Sequence, residues 1–452
     1  MTMDRTGRRE NFRTLVTLAL PIVLEEILST LLQYVDTAMV GRLGANATAS
    51  VSLTSTVNWL IYSLFSSFGI AVVAVISTAL GAKDNRKIKK ASSMAFTVSI
   101  LAGIAVEVIA IALSPFIPVW MNASEEIRES ASLYFAIISA AIPFRSFIII
   151  GSSVLRAVKD SKTPMLINLS ANILNIGLNY LFIYTLALGV KGAAIATLIS
   201  YACGAVVLAV IWRRKKEVSY SLRYLKPDKA ILSETVKIAL PAAATNTTSC
   251  LGHIVFASLV SSMGTIIFAA HSIALSAETI FYVPGYGLRG ATSTLIGISV
   301  GEKDENKFRV IEEQATIITI VMMAFTGALL FFSAHTIMGF FTPDEEVIRE
   351  GTRILRLIAF TEPLFGLMIV SEGIYYGLGE TKFTFIIETI GAWGIRILFS
   401  TIAIKALKVD LLGVWVCMAL DNTFRALGLA LPILFKRGTI LFRKKAGIET
   451  SP

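Results

Sequence analysis

The sequence predicts an all-α integral membrane protein with twelve transmembrane helices in two six-helix lobes. Of its 452 residues, 55% are hydrophobic and only 16% are charged, whereas a soluble domain carries about 25% charged residues. Apolar runs long enough to cross a bilayer, about 20 residues each, recur from residue 14 to residue 436. The two halves of the chain also match when one is shifted by 220 positions.

The apolar runs are too long, and too weakly alternating, for transmembrane β-strands, so we interpret them as helices. The first run lacks a small-residue cleavage site, which favours a retained helix over a signal peptide. All three cysteines lie inside runs, which argues against a disulfide framework. The predicted spans are about 14–40, 54–80, 91–113, 131–154, 164–188, 192–212, 232–260, 266–300, 313–334, 352–377, 384–404 and 411–436.

The net charge of +10 follows membrane topology and does not indicate a nucleic-acid partner. Lys and Arg concentrate at the two ends of the chain and in alternate loops. By the positive-inside rule, both termini are cytoplasmic, and we expect a multi-pass protein of the cell inner (plasma) membrane, in contact with lipid. The intervening loops hold Arg42, Arg128, Lys191, Arg349, Lys405 and Lys408.

The internal repeat predicts the domain organisation. Ala19-Leu20-Pro21 matches Ala239-Leu240-Pro241, and the same offset continues through Pro143 and Pro363. Six helices per half give both halves the same orientation, which predicts lobes related by a pseudo-twofold axis along the membrane normal. We assign residues 1–212 to the first lobe, 213–230 to a cytoplasmic linker and 231–452 to the second lobe. The oligomeric state stays open, with a monomer favoured.

The first helix carries polar groups on one face of an apolar span. At about 100° per residue, this face holds Glu25, Glu26, Ser29, Gln33 and Asp36. Charges inside a bilayer cost about 3 kcal/mol or more, and they normally face a water-filled path or a partner. Asp36 is therefore the first candidate for ion coupling, by proton exchange or by holding Na⁺, and Glu25 and Glu26 are secondary candidates.

Arg145, in the fourth span, is an available partner for these carboxylates. It could form a structural salt bridge with Asp36, or it could satisfy Glu25, Glu26 or Glu107. The sequence leaves these pairings open.

The fifth helix carries a stripe of four asparagines, which are Asn168, Asn172, Asn175 and Asn179. Their counterparts at the 220-residue offset are Glu388, Ala392, Ile395 and Phe399. Because the stripe is mostly confined to the first lobe, we favour a functional role over general hydrogen bonding between helices, which stays the alternative.

The second lobe has scattered polar groups of its own. His253 and Glu278 are secondary candidates, and we expect most charges there to pair within the lobe. The others are Asn246, His271, Tyr282, Tyr286, Glu362, Glu372 and Asp421, with Arg289, Arg353, Arg356 and Arg396 as available counter-ions.

The sequence contains no motif that would indicate an enzyme. Residues 285–290 spell GxGxxG, but no strand precedes them, so they do not predict a dinucleotide site. The chain lacks a phosphate-binding GxxxxGK[ST] motif, metal-ligand spacing and a nucleophile elbow. We therefore expect a secondary transporter without a cofactor, coupled to H⁺ or Na⁺.

Three segments resemble the multidrug and toxic compound extrusion (MATE) family. They are VDTAMVGRLG at residues 35–44, LRAVKDSKTPM at 155–165 and GVKGAAIAT at 189–197. The resemblance covers the whole chain and implies efflux of amphipathic, often cationic, compounds in exchange for H⁺ or Na⁺. It also implies a first-lobe pocket at Asp36, Asn175, Asn179 and Thr197, and a bend of the first helix at Pro21.

The sequence looks closer to the DinF-like branch, because the only acidic residue of the seventh helix, Glu234, lies at its mouth. It departs from that branch at Asn179, where a second Asp is usual, and this favours H⁺ over Na⁺ slightly. One alternative is a lipid-linked oligosaccharide flippase of the same superfamily, although Arg145 is the one cation well inside a first-lobe span. A less favoured alternative is an intramembrane lipid enzyme.

Overall fold

The computed structural model describes residues 5–121, 123–221, 224, 226–435 and 437–448, and these residues form helices without a β-strand. The helices are α1 (Arg5–Gly41), α2 (Ala45–Gly81), α3 (Asn85–Leu113), α4 (Ile117–Trp120), α5 (Glu125–Ser139), α6 (Ile142–Ala157), α7 (Lys162–Asn179), α8 (Gly189–Arg214), α9 (Lys229–Ser261), α10 (Thr265–Glu302), α11 (Glu305–Phe341), α12 (Glu345–Ala359), α13 (Glu362–Gly377), α14 (Thr381–Thr389), α15 (Leu398–Lys405), α16 (Leu411–Leu434) and α17 (Arg437–Ala446). A π-helical turn, Tyr180–Thr185, follows α7, and a second one, Ile390–Ile397, joins α14 to α15.

Each of the twelve predicted spans lies on a helix, a bent pair or a helix continued by a π-helical turn. Within the described residues, nine segments are long and apolar enough to cross a membrane, and eleven when two bent pairs are included. The bends are 45° between α5 and α6 and 54° between α12 and α13. The one predicted span outside this count of eleven is α9. It has 33 residues, and the polar run at residues 245–249 lowers its hydropathy.

The 220-residue repeat reappears in the helix boundaries. The pair α5–α6 breaks between Ser139 and Ile142, and α12–α13 breaks at the equivalent positions. The connections are alike too, because Gly44 and Gly264 precede α2 and α10 with φ of 105° and 124°. Only glycine adopts such angles readily. The duplicated sequence therefore encodes duplicated local structure.

The chain forms two compact units, and each has its own apolar core. The first unit comprises residues 24–239, and the second comprises residues 1–23 and 240–452. Buried Phe135 and Trp212 belong to the core of the first unit, and Phe256 and Trp415 to a core of the second.

The unit boundaries fall inside α1 and α9, within three residues of Pro21 and Pro241. The predicted lobes of 1–212 and 231–452 stay a prediction. So does the predicted linker, of which residues 222, 223 and 225 lie outside the described part.

Candidate functional site

A ladder of hydrogen bonds joins α1 to α7 in the first unit. Every rung links residues that are 143 positions apart, so the two helices run parallel in a fixed register. In each rung an asparagine amide of α7 donates to an oxygen of α1. The rungs are Asn168 to Glu25, Asn172 to Ser29, and Asn179 to Asp36.

The rung nearest the C-terminal ends of both helices belongs to a small network around Asp36. Asn179 is fully buried, and its amide donates both to Asp36 and to Oδ1 of Asn175, at 3.1 Å in the second case. Asn175 in turn donates to Oγ1 of Thr197 at 3.2 Å. The structure thus brings together the four residues of the expected pocket, while their role in transport stays a prediction.

In the part of the chain that the structure describes, Asp36 accepts a hydrogen bond from the amide of Asn179 and has no cationic partner. None of the ion pairs in the described part of the chain includes Asp36, which is partly exposed. Oδ1 of the buried Asn179 accepts no hydrogen bond there either. The network therefore contains an uncompensated carboxylate beside a free amide oxygen, the donor set that a proton or a hard cation can use.

The π-helical turn fixes the end of α7 at this site. It starts directly after Asn179, and Tyr184 within it donates a hydrogen bond to the backbone oxygen of Met39 at 2.7 Å. Such wide turns are rare and occur often at functional sites. The turn thus ties the C-terminal end of α7 to the C-terminal end of α1, next to Asp36.

The rung at Glu25 also contains a buried ion pair. Arg156 donates to both oxygens of Glu25, at 2.7 and 2.8 Å, and Glu25 is only 6% exposed. The sequence left the partner of Glu25 open, and the structure assigns it to Arg156. Our predicted span ended at residue 154 and put Arg156 in a loop, but α6 continues to Ala157.

The other predicted residues of α1 and α6 have contacts of their own. Glu26 is partly buried and acts electrostatically on Tyr62. Gln33 is exposed, and Pro21 is buried inside α1. Arg145 lies over the rings of Tyr62 and Tyr201, with its guanidinium carbon 5.1 and 5.8 Å from their centroids.

The second unit contains a compact ionic network in place of the amide stripe. Arg425 pairs with Glu388 at 2.6 Å and with Asp421 at 2.8 Å, and Arg396 pairs with Asp421 at 2.8 Å. All four groups are buried, and two acids balance two bases. Sequence reasoning missed Arg425, although its position four residues after Asp421 on a helix was a usable signal.

Other polar groups of the second unit form separate contacts. Glu372 pairs with Arg289 at 2.6 Å, and Nδ1 of His271 accepts a hydrogen bond from Trp415. Glu278 is buried and His253 is exposed. Among the described residues, no three His, Cys, Asp or Glu side chains form a group that could hold a metal ion.

The repeated helices, the bent pairs and the polar ladder define a multi-pass α-helical membrane protein. A model of the MatE family matches residues 21–181 and 241–402, so the chain belongs to the MatE family. Among curated relatives, a probable multidrug resistance protein NorM of Thermotoga maritima is 25% identical over 418 residues, covering 92% of this chain and 90% of the relative. The multidrug export protein MepA of Staphylococcus aureus is 25% identical over 375 residues, 82% of each chain.

Solved structures show the same fold. An outward-facing multidrug resistance MATE family transporter of the MOP superfamily superposes with a TM-score of 0.91 at 23% identity, covering 95% of this chain and 96% of the other. The predicted fold class, with twelve helices in two lobes, is thereby confirmed. The resemblance to the MATE family is confirmed as well, while the DinF-like branch stays a prediction.

Proposed function

We propose that the protein is a secondary active multidrug efflux transporter that exchanges amphipathic, mainly cationic, organic compounds for H⁺ or Na⁺. The observation that carries this proposal is Asp36, an intramembrane carboxylate held by the Asn179 amide without a cationic partner in the described chain. The printed names of the relatives, which include multidrug resistance and multidrug export proteins, support efflux.

Exchange follows from competition for one negative charge. Burial disfavours an uncompensated carboxylate, so Asp36 gains from any cation that neutralises it. A proton, Na⁺ and the cationic group of a drug can each do so, but they exclude one another. Binding of the ion from one side of the membrane therefore favours release of the drug, which is the requirement for antiport.

Either coupling ion fits the residues present. A protonated Asp36 would have a hydrogen to donate, and Oδ1 of Asn179 is a buried oxygen that accepts none. The same oxygen, with the carboxylate and the Thr197 hydroxyl, also suits Na⁺, which prefers oxygen donors. The function needs no enzyme chemistry and no cofactor.

The proline inside α1 provides a point at which this helix can respond. Pro21 lacks an amide hydrogen and weakens the helix at that turn, and the unit boundary falls just after it, between Val23 and Leu24. We propose that neutralisation of Asp36 bends α1 near Pro21 and releases the drug outward. In this proposal both termini lie in the cytoplasm.

Export into everted membrane vesicles tests the proposal. The assay measures the uptake of a fluorescent organic cation such as ethidium, driven by a pH gradient alone or by a Na⁺ gradient alone. It compares vesicles that contain the wild type, Asp36→Asn or Asp344→Asn. Asp344 caps α12 from an exposed position, and Asn also caps helices well, so it is a matched control. We expect uptake with one gradient, its loss in Asp36→Asn and its retention in Asp344→Asn.

Uptake that persists in Asp36→Asn would remove this residue from coupling. A folded protein that responds to neither gradient would contradict antiport and would favour the lipid-linked flippase. Chemical conversion of a lipid by the purified protein would instead indicate the intramembrane enzyme.

A further inference from the structure

The short helix α17 has no part in the proposed exchange. It begins three residues after the end of α16 and has only ten residues, about half of what a helix needs to cross a bilayer. The candidate membrane spans among the described residues do not include it. A helix that follows a span without crossing the membrane itself lies near the bilayer surface, so its side chains can be examined for contacts with that surface.

One face of α17 packs against the rest of the second unit. Gly438 and Phe442 are buried, and they are four residues apart, about one helical turn. Phe442 contacts the ring of Phe308 in α11, with centroids 4.9 Å apart. Arg443 also pairs with Glu305 of α11 at 2.8 Å. These contacts fix the rotation of α17 about its axis and thereby determine which of its residues face outward.

The outward face of α17 has an apolar residue between two basic ones. Ile440 is 56% exposed, and Arg437 and Lys444 are exposed as well. At about 100° per residue, these three side chains lie within about 60° of one another, on the side opposite Phe442. The apolar surface continues to Phe435, just before the helix, which is 79% exposed.

The two basic residues of this face are not neutralised by the described part of the chain. Arg443 and Lys445 have acidic partners, but Arg437 and Lys444 join no ion pair there. The guanidinium of Arg437 lies over the ring of Phe383, 3.9 Å from its centroid, which holds this charge beside apolar surface. Uncompensated cations next to exposed apolar side chains match a membrane surface, where anionic headgroups lie above acyl chains.

We propose that α17 is an interfacial helix that binds anionic phospholipid through Arg437 and Lys444. In this arrangement the headgroup phosphate contacts the two cations, and the acyl chains pack on Ile440 and Phe435. A soluble phosphate would leave those apolar side chains in water, so the observations favour a lipid as the occupant. The inference concerns a lipid partner of the second unit, and it does not depend on which compound the protein exports.

Photo-crosslinking at position 440 tests this inference in the full-length protein. The photoreactive residue benzoylphenylalanine replaces the exposed Ile440, and the protein is placed in nanodiscs of phosphatidylcholine with a minority of phosphatidylglycerol. After irradiation, mass spectrometry gives the ratio of the two lipids among the adducts, relative to their ratio in the bilayer. The same measurement is made with the double variant Arg437→Gln, Lys444→Gln.

A matched control removes one arginine and one lysine from the start of α3. Arg86 and Lys89 are exposed there, and both α3 and α17 begin on the predicted cytoplasmic side. The apolar residue between them, Ile88, is buried, so this surface has the charges without exposed apolar neighbours. The control variant is Arg86→Gln, Lys89→Gln, with the same photoreactive residue at position 440.

We expect phosphatidylglycerol to be enriched about tenfold or more among the adducts, because each basic residue near an anionic surface contributes roughly fivefold. The α17 double variant should lose this enrichment, and the α3 control should retain it. Equal crosslinking to both lipids in the parent protein, or enrichment that survives the α17 substitutions, would overturn the inference. So would adducts with a second copy of the protein in place of lipid.

Two further arms separate lipid binding from other causes. Arg437→Lys keeps the charge but not the planar guanidinium that lies over Phe383, so it should retain most of the enrichment. A loss as large as that of Arg437→Gln would assign the effect to packing and overturn the inference. Excess glycerol phosphate, compared with chloride at equal ionic strength, should leave the enrichment unchanged. If it abolishes the enrichment, the site binds soluble phosphate and the lipid assignment is wrong.

Discussion

The two units place different chemistry on the same repeated scaffold. In the first unit, Asp36 lies among neutral groups and its nearest partner is the amide of Asn179. In the second unit, Asp421 is fully buried and paired with two arginines, Arg396 and Arg425. Both polar sets adjoin a π-helical turn of the equivalent span. The first carboxylate therefore remains open to an external cation, whereas the second is neutralised within the protein.

This difference shows how a duplicated fold can divide its tasks. A carboxylate that already has two arginines gains little from a proton, so the network of the second unit is suited to holding helices together. A carboxylate beside amides gains much more from a proton or a cation. The four predictions below test this division, from the largest expected effect to the smallest.

Substitution of Arg425 should have the largest effect on stability. Arg425→Met leaves Glu388 and one side of Asp421 buried without their cation, and breaking such a pair costs about 3–5 kcal/mol. SDS-induced unfolding of the purified protein measures the loss of unfolding free energy. The double variant Arg425→Met, Glu388→Gln removes the stranded charge of Glu388, keeps the pair between Asp421 and Arg396, and should regain part of that loss. A wild-type unfolding curve for Arg425→Met would contradict a structural role for the network.

Substitution of Glu25 should lower the unfolding free energy less than substitution of Arg425 does, although Glu25 is also in a buried ion pair. Glu25→Gln strands Arg156, but the Arg156 side chain is 23% exposed, against 9% for Arg425. Water can therefore reach the stranded charge, and we expect a loss of about 2–3 kcal/mol by the same unfolding assay. In the double variant with Arg156→Gln, the two losses should be less than additive. Strict additivity would show that the two residues do not stabilise each other.

The sequence predicted the scaffold better than the pairing of its charges. Hydropathy and the 220-residue offset located the spans, because both depend on many residues at once. The partner of Glu25 was not predictable, since it depended on where α6 ends, and Arg156 lies only two residues beyond the predicted limit. The bend before α6 was missed too, even though Pro143 and Pro363 occupy equivalent first-turn positions. Proline at that position is compatible with both a straight and an interrupted span.

The ion pair between Asp160 and Lys215 lies outside the spans. Its contribution to stability can be compared with that of the equivalent pair in the second unit, and it should depend on pH. Burial works to raise the pKa of Asp160, but hydrogen bonds from Lys215 and Thr163 outweigh it and leave the pKa below its ordinary value. The equivalent Glu380 is 3.8 Å from Lys445, whereas Asp160 is 2.6 Å from Lys215. At neutral pH, Asp160→Asn should cost about 1 kcal/mol, and Glu380→Gln less.

The stabilisation by Asp160 should depend on pH in a defined direction. Because its pKa is lowered in the folded protein, the contribution is complete above its ordinary pKa of about 4 and is lost as the pH falls through the folded value. The unfolding curves of wild type and Asp160→Asn should therefore converge in acid. A difference that stays constant or grows as the pH falls further and further below 4 would contradict this interpretation.

Substitution of Asp36 should have the smallest effect on stability, even though we expect it to abolish export. Asp36→Asn keeps an oxygen that can accept the hydrogen bond from Asn179, and it strands no cation, so the unfolding free energy should change by less than about 1 kcal/mol. Asp421→Asn in the second unit is the matched comparison, because it weakens the pairing of two buried arginines and should destabilise several-fold more. If Asp36→Asn proves as destabilising as Asp421→Asn, then Asp36 is a structural group like Asp421, and the division between the units fails.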